Sequence, residues 1–223
     1  MNQMEWPSPE ELTAWAPMPA GYGYKMPARE DIPQLIAAIG TWYPDIAIGA
    51  ASGYTRMQFY EDKVVLQGDD GRKDTMVLMY MKGEQLVGMA SMEREPDTLS
   101  VYGRLAVVDP KHQGAKLASN GMAVMDGMGL HRGAEFLYVL ATMKHPYAQM
   151  LLERRGYRLL GFIPGYDREV RPDGKVHRVF EALYAKVLTS EAGLLRPNPA
   201  DQTPNTRALF EFLFPSAPGT HVA

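Results

Sequence analysis

Apolar residues along this chain recur with two different periods. From residue 75 to 108 the pattern is that of strands: Thr75 to Met81, a turn at Lys82-Gly83-Glu84, Gln85 to Met92, and after Pro96-Asp97 a run from Leu99 to Val108. Short turns between such runs predict an antiparallel meander. A shorter strand is expected upstream, at Tyr24 to Met26. Between the two, Ile32, Leu35, Ile36 and Ile39 recur at helical spacing, and a second helical stretch falls within Tyr54 to Val65.

Past Val108 the order becomes loop, helix, strand. Leu117, Gly121, Val124, Met125 and Met128 share one helix face, and Gly127, Gly129 and Gly133 break that helix before the apolar run Phe136 to Ala141. Two strands joined by a helical crossover run parallel, so a mixed sheet is predicted, antiparallel in its first half. His145-Pro146 then opens a helix carrying Ala148, Leu151 and Leu152, with Gly156 suited to end it. Tyr157 to Ile163 and His177 to Val187 read as a last strand pair, joined by a loop containing Pro172-Asp173-Gly174.

The ends read differently. Ser8-Pro9-Glu10-Glu11 carries the signature of a capped helix start, and Met18 to Gly23 reads as a linker. Leu195 to Gln202 is a second linker, after which Thr203-Pro204 opens a short helix with Leu209, Phe210, Leu213 and Phe214. So short a helix is not stable alone and is expected to pack on the body or on a partner chain, which leaves a homodimer open. The expected organisation is an N-terminal extension over 1–22, a folded domain over 23–188 and a C-terminal extension over 189–223.

Composition narrows the chemistry. The net charge of -3 with interspersed signs offers no basic stripe, so no nucleic-acid partner is expected. The chain has no cysteine, which excludes disulfides, thiolate catalysis and thiolate-held metals, and no metal is expected. The first residues, Met1 to Pro7, lack the basic start and apolar core of a secretory signal. No stretch approaches the roughly 20 apolar residues that cross a bilayer. A cytoplasmic protein without a membrane partner is the expectation.

The stretch Leu105 to Ala118, LAVVDPKHQGAKLA, carries the candidate chemistry: an apolar strand, a Pro stop and a small-residue turn opening into a helix. The first helical turn has unpaired N–H groups that suit a phosphate. The alternative is an ordinary strand, turn and helix with no ligand. Residue by residue, this loop resembles the acyl-coenzyme A loop of the GNAT superfamily of N-acyltransferases, whose pattern is Arg or Gln, two residues, Gly, one residue, then Gly or Ala. Gln113 and Ala118 match its ends, but Lys116 stands where the middle glycine is usual. Lys116 either narrows the cradle or adds charge to it. Further on, registering on Gly156-Tyr157 puts His145 at the family's Asn, Ala148 at its Ala and Leu152 at its Tyr.

The resemblance implies a GNAT-like α/β fold: a mixed, mostly antiparallel sheet, flanked by helices, with a central parallel strand pair splayed around coenzyme A. It implies that Ala106, Val107 and Val108 border the pantetheine arm. The amides of Gln113, Gly114, Ala115, Lys116, Leu117 and Ala118 would hold the pyrophosphate, with Lys111 adding charge, and His145 would make the polar contact usual for Asn. Ala106 and Val108 as plain core residues, Lys111 as a solvated lysine and His145 as a helix cap are the rival readings. The implied activity moves an acetyl or other short acyl group from acetyl-coenzyme A to the amine of a small molecule by direct attack.

That reaction needs a neutral amine, and an aliphatic ammonium, with its pKa of about 10.4, must first lose a proton. Glu93, Glu95 and Tyr102 are the candidates for that step, weighed against being ordinary solvated or core groups. Leu152 cannot protonate the departing thiolate as the family's Tyr does, which leaves Tyr147, Tyr157 or a water. The 12 tyrosines and 15 methionines are compatible with an adaptable pocket for an aromatic or weakly basic amine, or merely with a filled core. A non-catalytic acyl-coenzyme A sensor or interaction module on the same fold is the competing function.

Overall fold

The computed structural model describes residues 4–170 and 173–215, so Met1 to Gln3 and Pro172 of the sequence reading lie outside it. The chain divides into one unit ending at Leu188 and a second beginning at Thr189. The first is built on a seven-stranded sheet in the order β1-β2-β3-β4-β5-β7-β6. Its strands are β1 (Tyr22–Lys25), β2 (Thr75–Lys82), β3 (Gln85–Glu95), β4 (Ser100–Val108), β5 (Phe136–Thr142), β6 (Arg158–Val170) and β7 (Val176–Val187). Every neighbouring pair is antiparallel except β4 and β5, which are parallel. The first strand begins two residues earlier than its apolar pattern suggests, and the last hairpin is longer than expected because β6 runs on through polar residues to Val170.

Among the described residues this unit has five α-helices, α1 (Pro9–Trp15), α2 (Ile32–Trp42), α3 (Met57–Lys63), α4 (Leu117–Arg132) and α5 (Tyr147–Arg154), and the second unit carries α6 (Pro204–Leu213). β2 is a continuous apolar run because both its faces are covered. Met76, Leu78 and Tyr80 join a core with Leu117, Val124, Met125 and Met128 of α4. Val77 and Met79 join another with Ile32, Leu35 and Ile39 of α2 and Tyr60 of α3. Each such fully buried side chain stabilises the fold by about 1.5–3 kcal/mol. The helical stretch expected within Tyr54 to Val65 is divided into a 3₁₀ turn over Ser52–Thr55 and α3.

The N-terminal segment belongs to the core of this unit. Met4 and Leu12 are fully buried with the α4 side chains, and Ser8 caps α1 in the reciprocal arrangement with Glu11 that the sequence indicates. α4 ends at Gly133, whose φ of 73° is the left-handed conformation that glycine adopts without a Cβ penalty. In the second unit Thr203 caps α6, and Phe210 packs on Phe214 with ring centres 5.2 Å apart. No residue of α6 is buried, and Phe212 is 80% exposed. Among the described residues no helix is long and apolar enough to cross a membrane.

Candidate active site

β4 and β5 begin together and then part. They pair from Ser100↔Phe136 to Gly103↔Val139 and no further, although β4 continues to Val108 and β5 to Thr142. The cause lies on the other side of β4, where Ser91 faces Leu105 and Met92 faces Gly103, so that Arg104 is an extra residue. Such a bulge bends and twists its strand. β4 follows β3 as far as Val108↔Gly88, while β5 follows β7 to Thr142↔Glu181. Between them opens a wedge bordered by residues 104–108 on one side and 140–142 on the other. Gly103 sits at its apex, where a Cβ would lie 2.8 Å from Met125 Sδ and 2.9 Å from Val139 Cγ2, so only glycine lets α4 close down there.

The wedge runs into the motif loop. Ala106 is exposed along its edge, Val107 is buried in the α2-side core and Val108 is half-buried. Pro110–Ala115 forms a 3₁₀ turn capped by Asp109, whose carboxylate accepts the Lys111 N–H at 2.9 Å. Gln113 and Gly114 are exposed, and a Cβ at Gly114 would meet nothing within 4 Å. Lys116 then takes φ 61° and ψ 19°, and α4 begins at Leu117. A left-handed conformation costs an L-residue about 1–2 kcal/mol. The backbone bend usually given to glycine is therefore kept with a lysine in it. The N–H groups of Leu117 and Ala118, in the first turn of α4, have no carbonyl of their own helix to bond. Leu117 itself is 1% exposed and anchors that turn.

At the far side of the wedge, α5 begins just after β5. His145 and Tyr147 are both exposed there, their rings 5.0 Å apart. Leu152 is buried in the α4-side core and presents no hydroxyl. Tyr157 is buried too, and its hydroxyl has no partner; burial, then Asp126, pushes its pKa up. It lies beneath Lys186 and not at the opening.

Below the apex, Glu93, Tyr102 and Tyr138 form one row across β3, β4 and β5. The two tyrosine rings stack with centres 4.7 Å apart at 3°. The Arg104 guanidinium donates to Glu93 at 2.6 Å, and the Tyr138 hydroxyl donates to Glu95 at 2.7 Å. Burial, then the Tyr166 hydroxyl, pushes the Tyr102 pKa well above its ordinary value, so Tyr102 is a neutral donor at physiological pH. Behind this row Tyr54 and Ser91 share a buried hydrogen bond of 2.6 Å, and burial pushes Tyr54 up to about 12. The fold thus gathers Glu93, Glu95 and Tyr102 on one patch and sets His145 and Tyr147 at the start of α5.

Two residues of this region escape the sequence reading. Arg104 looks like a stray charge in an apolar strand, yet it is the bulge residue and holds Glu93. Glu181 looks like a surface residue of an alternating strand. It is 5% exposed, and burial, then Asp167 and Glu169, raise its pKa from 4.5 to about 7, with Lys144 acting the other way.

A mixed sheet whose parallel pair parts beside a helix-opening loop is the architecture of the GNAT N-acetyltransferases, and the chain has that fold. No family model matches the sequence, and no curated protein matches it either. Solved structures match by shape. The RimL ribosomal L7/L12 alpha-N-protein acetyltransferase in complex with coenzyme A is 15% identical, with a TM-score of 0.58 over 78% of this chain and 97% of that one. A variant of the spermidine N-acetyltransferase SpeG from Vibrio cholerae is 13% identical, with a TM-score of 0.58 over 76% and 95%. The microcin C7 self immunity acetyltransferase MccE, in complex with acetyl-CoA and AMP, is 13% identical, with a TM-score of 0.57 over 77% and 94%. Among the described residues no group of three or more His, Asp or Glu side chains is placed to hold a metal ion.

Proposed function

We propose that the chain is an N-acyltransferase that moves an acetyl group from acetyl-coenzyme A to the amine of a small molecule by direct attack. The observation that carries this reading is the wedge between β4 and β5 running without interruption into the left-handed Lys116 and the first turn of α4. The residues present suit the donor. Its pyrophosphate fits the amides from Gln113 to Ala118, with the Lys116 and Lys111 ammonium groups beside it. Its pantetheine amides fit the strand edge at Ala106, Val107 and Val108, which β5 leaves unpaired, and His145 stands across the opening.

The donor supplies an activated thioester; the protein's part is to place an amine against it and move protons. Proximity alone removes several kcal/mol from the barrier. Glu93 keeps one carboxylate oxygen outside the Arg104 contact and is 35% exposed, so it is assigned the proton lost by the ammonium, through water. Tyr102, held neutral, positions that carboxylate's neighbourhood as a donor. Tyr147, 73% exposed at the start of α5, is assigned the proton returned to the thiolate, since Leu152 has none to give.

Calorimetric titration with acetyl-coenzyme A tests the first step, and no heat at about millimolar ligand would end the reading. Thiol release with a panel of amines tests the second. The buried Leu152 favours one rival, a sensor that binds acyl-coenzyme A without turning it over; binding with no thiol release from any amine would establish that rival instead.

A further inference from the structure

The pleat of a strand aims its side chains to alternate faces, but it does not aim a bulge residue. Arg104 is the extra residue between the pairs Ser91↔Leu105 and Met92↔Gly103, so its neighbours must orient it. Three groups do. Glu93 accepts one hydrogen bond, from Nη1 to Oε2 at 2.6 Å, the guanidinium carbon lies 5.1 Å from the centre of the Tyr102 ring, and the Tyr54 oxygen faces the guanidinium.

Tyr54 is fixed from the other side. The 3₁₀ turn Ser52–Thr55 carries it into the α2-side core, where its ring packs on Phe59 at 4.7 Å and its carbonyl accepts the Tyr60 hydroxyl at 3.0 Å. Its hydroxyl lies 2.6 Å from Ser91 Oγ, and Ser91 Oγ donates to the Met76 carbonyl at 3.0 Å. A serine hydroxyl has one proton to give. Since that proton goes to Met76, Tyr54 is the donor to Ser91, and the lone pairs of the tyrosine oxygen are left to face Arg104. Ser91 pairs with Leu105, right beside the bulge, so the serine that turns the tyrosine is placed by the irregularity that frees the arginine.

An arginine beside a carboxylate favours two parallel hydrogen bonds, which would occupy both oxygens. Arg104 makes only one, and among the described residues Glu93 Oε1 has no hydrogen-bond partner. We propose that Tyr54 is a positioning residue for acyl transfer: by engaging the guanidinium it keeps Arg104 on one oxygen of Glu93 and leaves the other free to take the proton of the acceptor ammonium. This rests on the acyltransferase reading and on Glu93 as its base. Tyr54 exchanges no proton itself; it decides whether Glu93 has an oxygen to offer.

The test is thiol release at saturating acetyl-coenzyme A from two acceptors of similar shape: benzylamine, an ammonium at neutral pH, and aniline, which is already neutral and needs no base before it attacks. Tyr54→Phe keeps the ring and removes the oxygen, so Arg104 closes on both oxygens of Glu93, and the ratio of benzylamine to aniline turnover should fall about tenfold. Ser91→Ala unties the same hydroxyl from β3 and should lower the ratio in the same direction. In Arg104→Gln, which has no fork to close, adding Tyr54→Phe should change the ratio by less than about twofold. An unchanged ratio in Tyr54→Phe, or an equal fall with and without Arg104, would overturn the proposal, because a tyrosine that only supports the fold slows both acceptors alike. Urea unfolding of the single and double variants reads the contact without turnover. The drop in midpoint caused by Tyr54→Phe should shrink by about half or more in Arg104→Gln, and an equal drop in both would overturn the contact. Thiol release from neither amine by the unaltered chain would remove the role together with the acyltransferase reading, and the unfolding result tells that case from a missing contact.

Discussion

Replacing Glu181 by Gln should make the protein more stable above neutral pH and leave it little changed in acid. The unfolded chain releases this proton near 4.5, but the native chain holds it until about 7. Between those values the native state binds more protons than the unfolded one, so this group's contribution falls as pH rises and is fully lost above about 7. The rise from 4.5 to about 7 corresponds to about 3 kcal/mol as an upper bound, because the carboxylate oxygens keep some contact with water. The groups facing Glu181 are Asp167 and Glu169 on β6, Lys144 after β5, Tyr43 after α2 and His177 further along β7. They are common to both proteins and drop out of the comparison. Urea unfolding of the two chains at about pH 5 and about pH 8 measures the double difference directly. Glu181→Gln should gain about 2 kcal/mol on the unaltered chain between those conditions, since part of the change is already complete at pH 5. The same stability difference at both pH values would show that the carboxyl is not held protonated by its surroundings, and the electrostatic account of Glu181 would fail.

Other changes probe the rest of the site. Lys116→Gly should raise stability by about 1 kcal/mol by relieving the left-handed residue, yet weaken acetyl-coenzyme A binding in calorimetry by removing the ammonium; tighter binding would mean that the side chain obstructs the cradle. Gly103→Ala should destabilise by about 1–3 kcal/mol in urea unfolding, because its methyl would press on Met125 and Val139 at the apex, and acyl transfer should fall with it. Arg94 is 3% exposed and donates to the carbonyls of Met4 and Gly71 and to Asp74, so Arg94→Ala should cost about 3 kcal/mol of stability by orphaning those acceptors and loosening the N-terminal segment. Glu93→Gln should lower the rate of acyl transfer at saturating donor by about tenfold or more without changing donor affinity.

The fold is legible where short-range patterns decide it. The turn at Lys82-Gly83-Glu84, the helix face Leu117-Gly121-Val124-Met125-Met128 and the glycine after it specify a meander, a crossover helix and hence one parallel pair, from local chemistry alone. The strand, Pro stop and turn opening into α4 are legible for the same reason, since their residues are contiguous. The parting of β4 and β5 is less so, because it depends on a bulge at Arg104 that no residue type announces. The acidic cluster around Lys144 is not legible at all. Asp45, Lys144, Asp167, Glu169 and Glu181 come from four separate stretches, and only the long hairpin and the turn after α2 bring them together. Glu181 in particular sits between Phe180 and Ala182, where strand alternation suggests solvent, and the cover that buries it comes from remote chain.

α4 carries two glycines whose role is reception. A Cβ at Gly127 would strike the Trp15 ring at 2.6 Å, and one at Gly129 would strike Leu188 Cδ1. Trp15 also stacks on His131 at 4.6 Å, and Arg132 joins Glu11, so the first helix is moulded to the crossover helix along its last two turns. The helix that opens after the left-handed Lys116 is therefore braced at its opposite end by the N-terminal helix. A chain shortened to the linker at Met18 would lose this brace along the last two turns of α4.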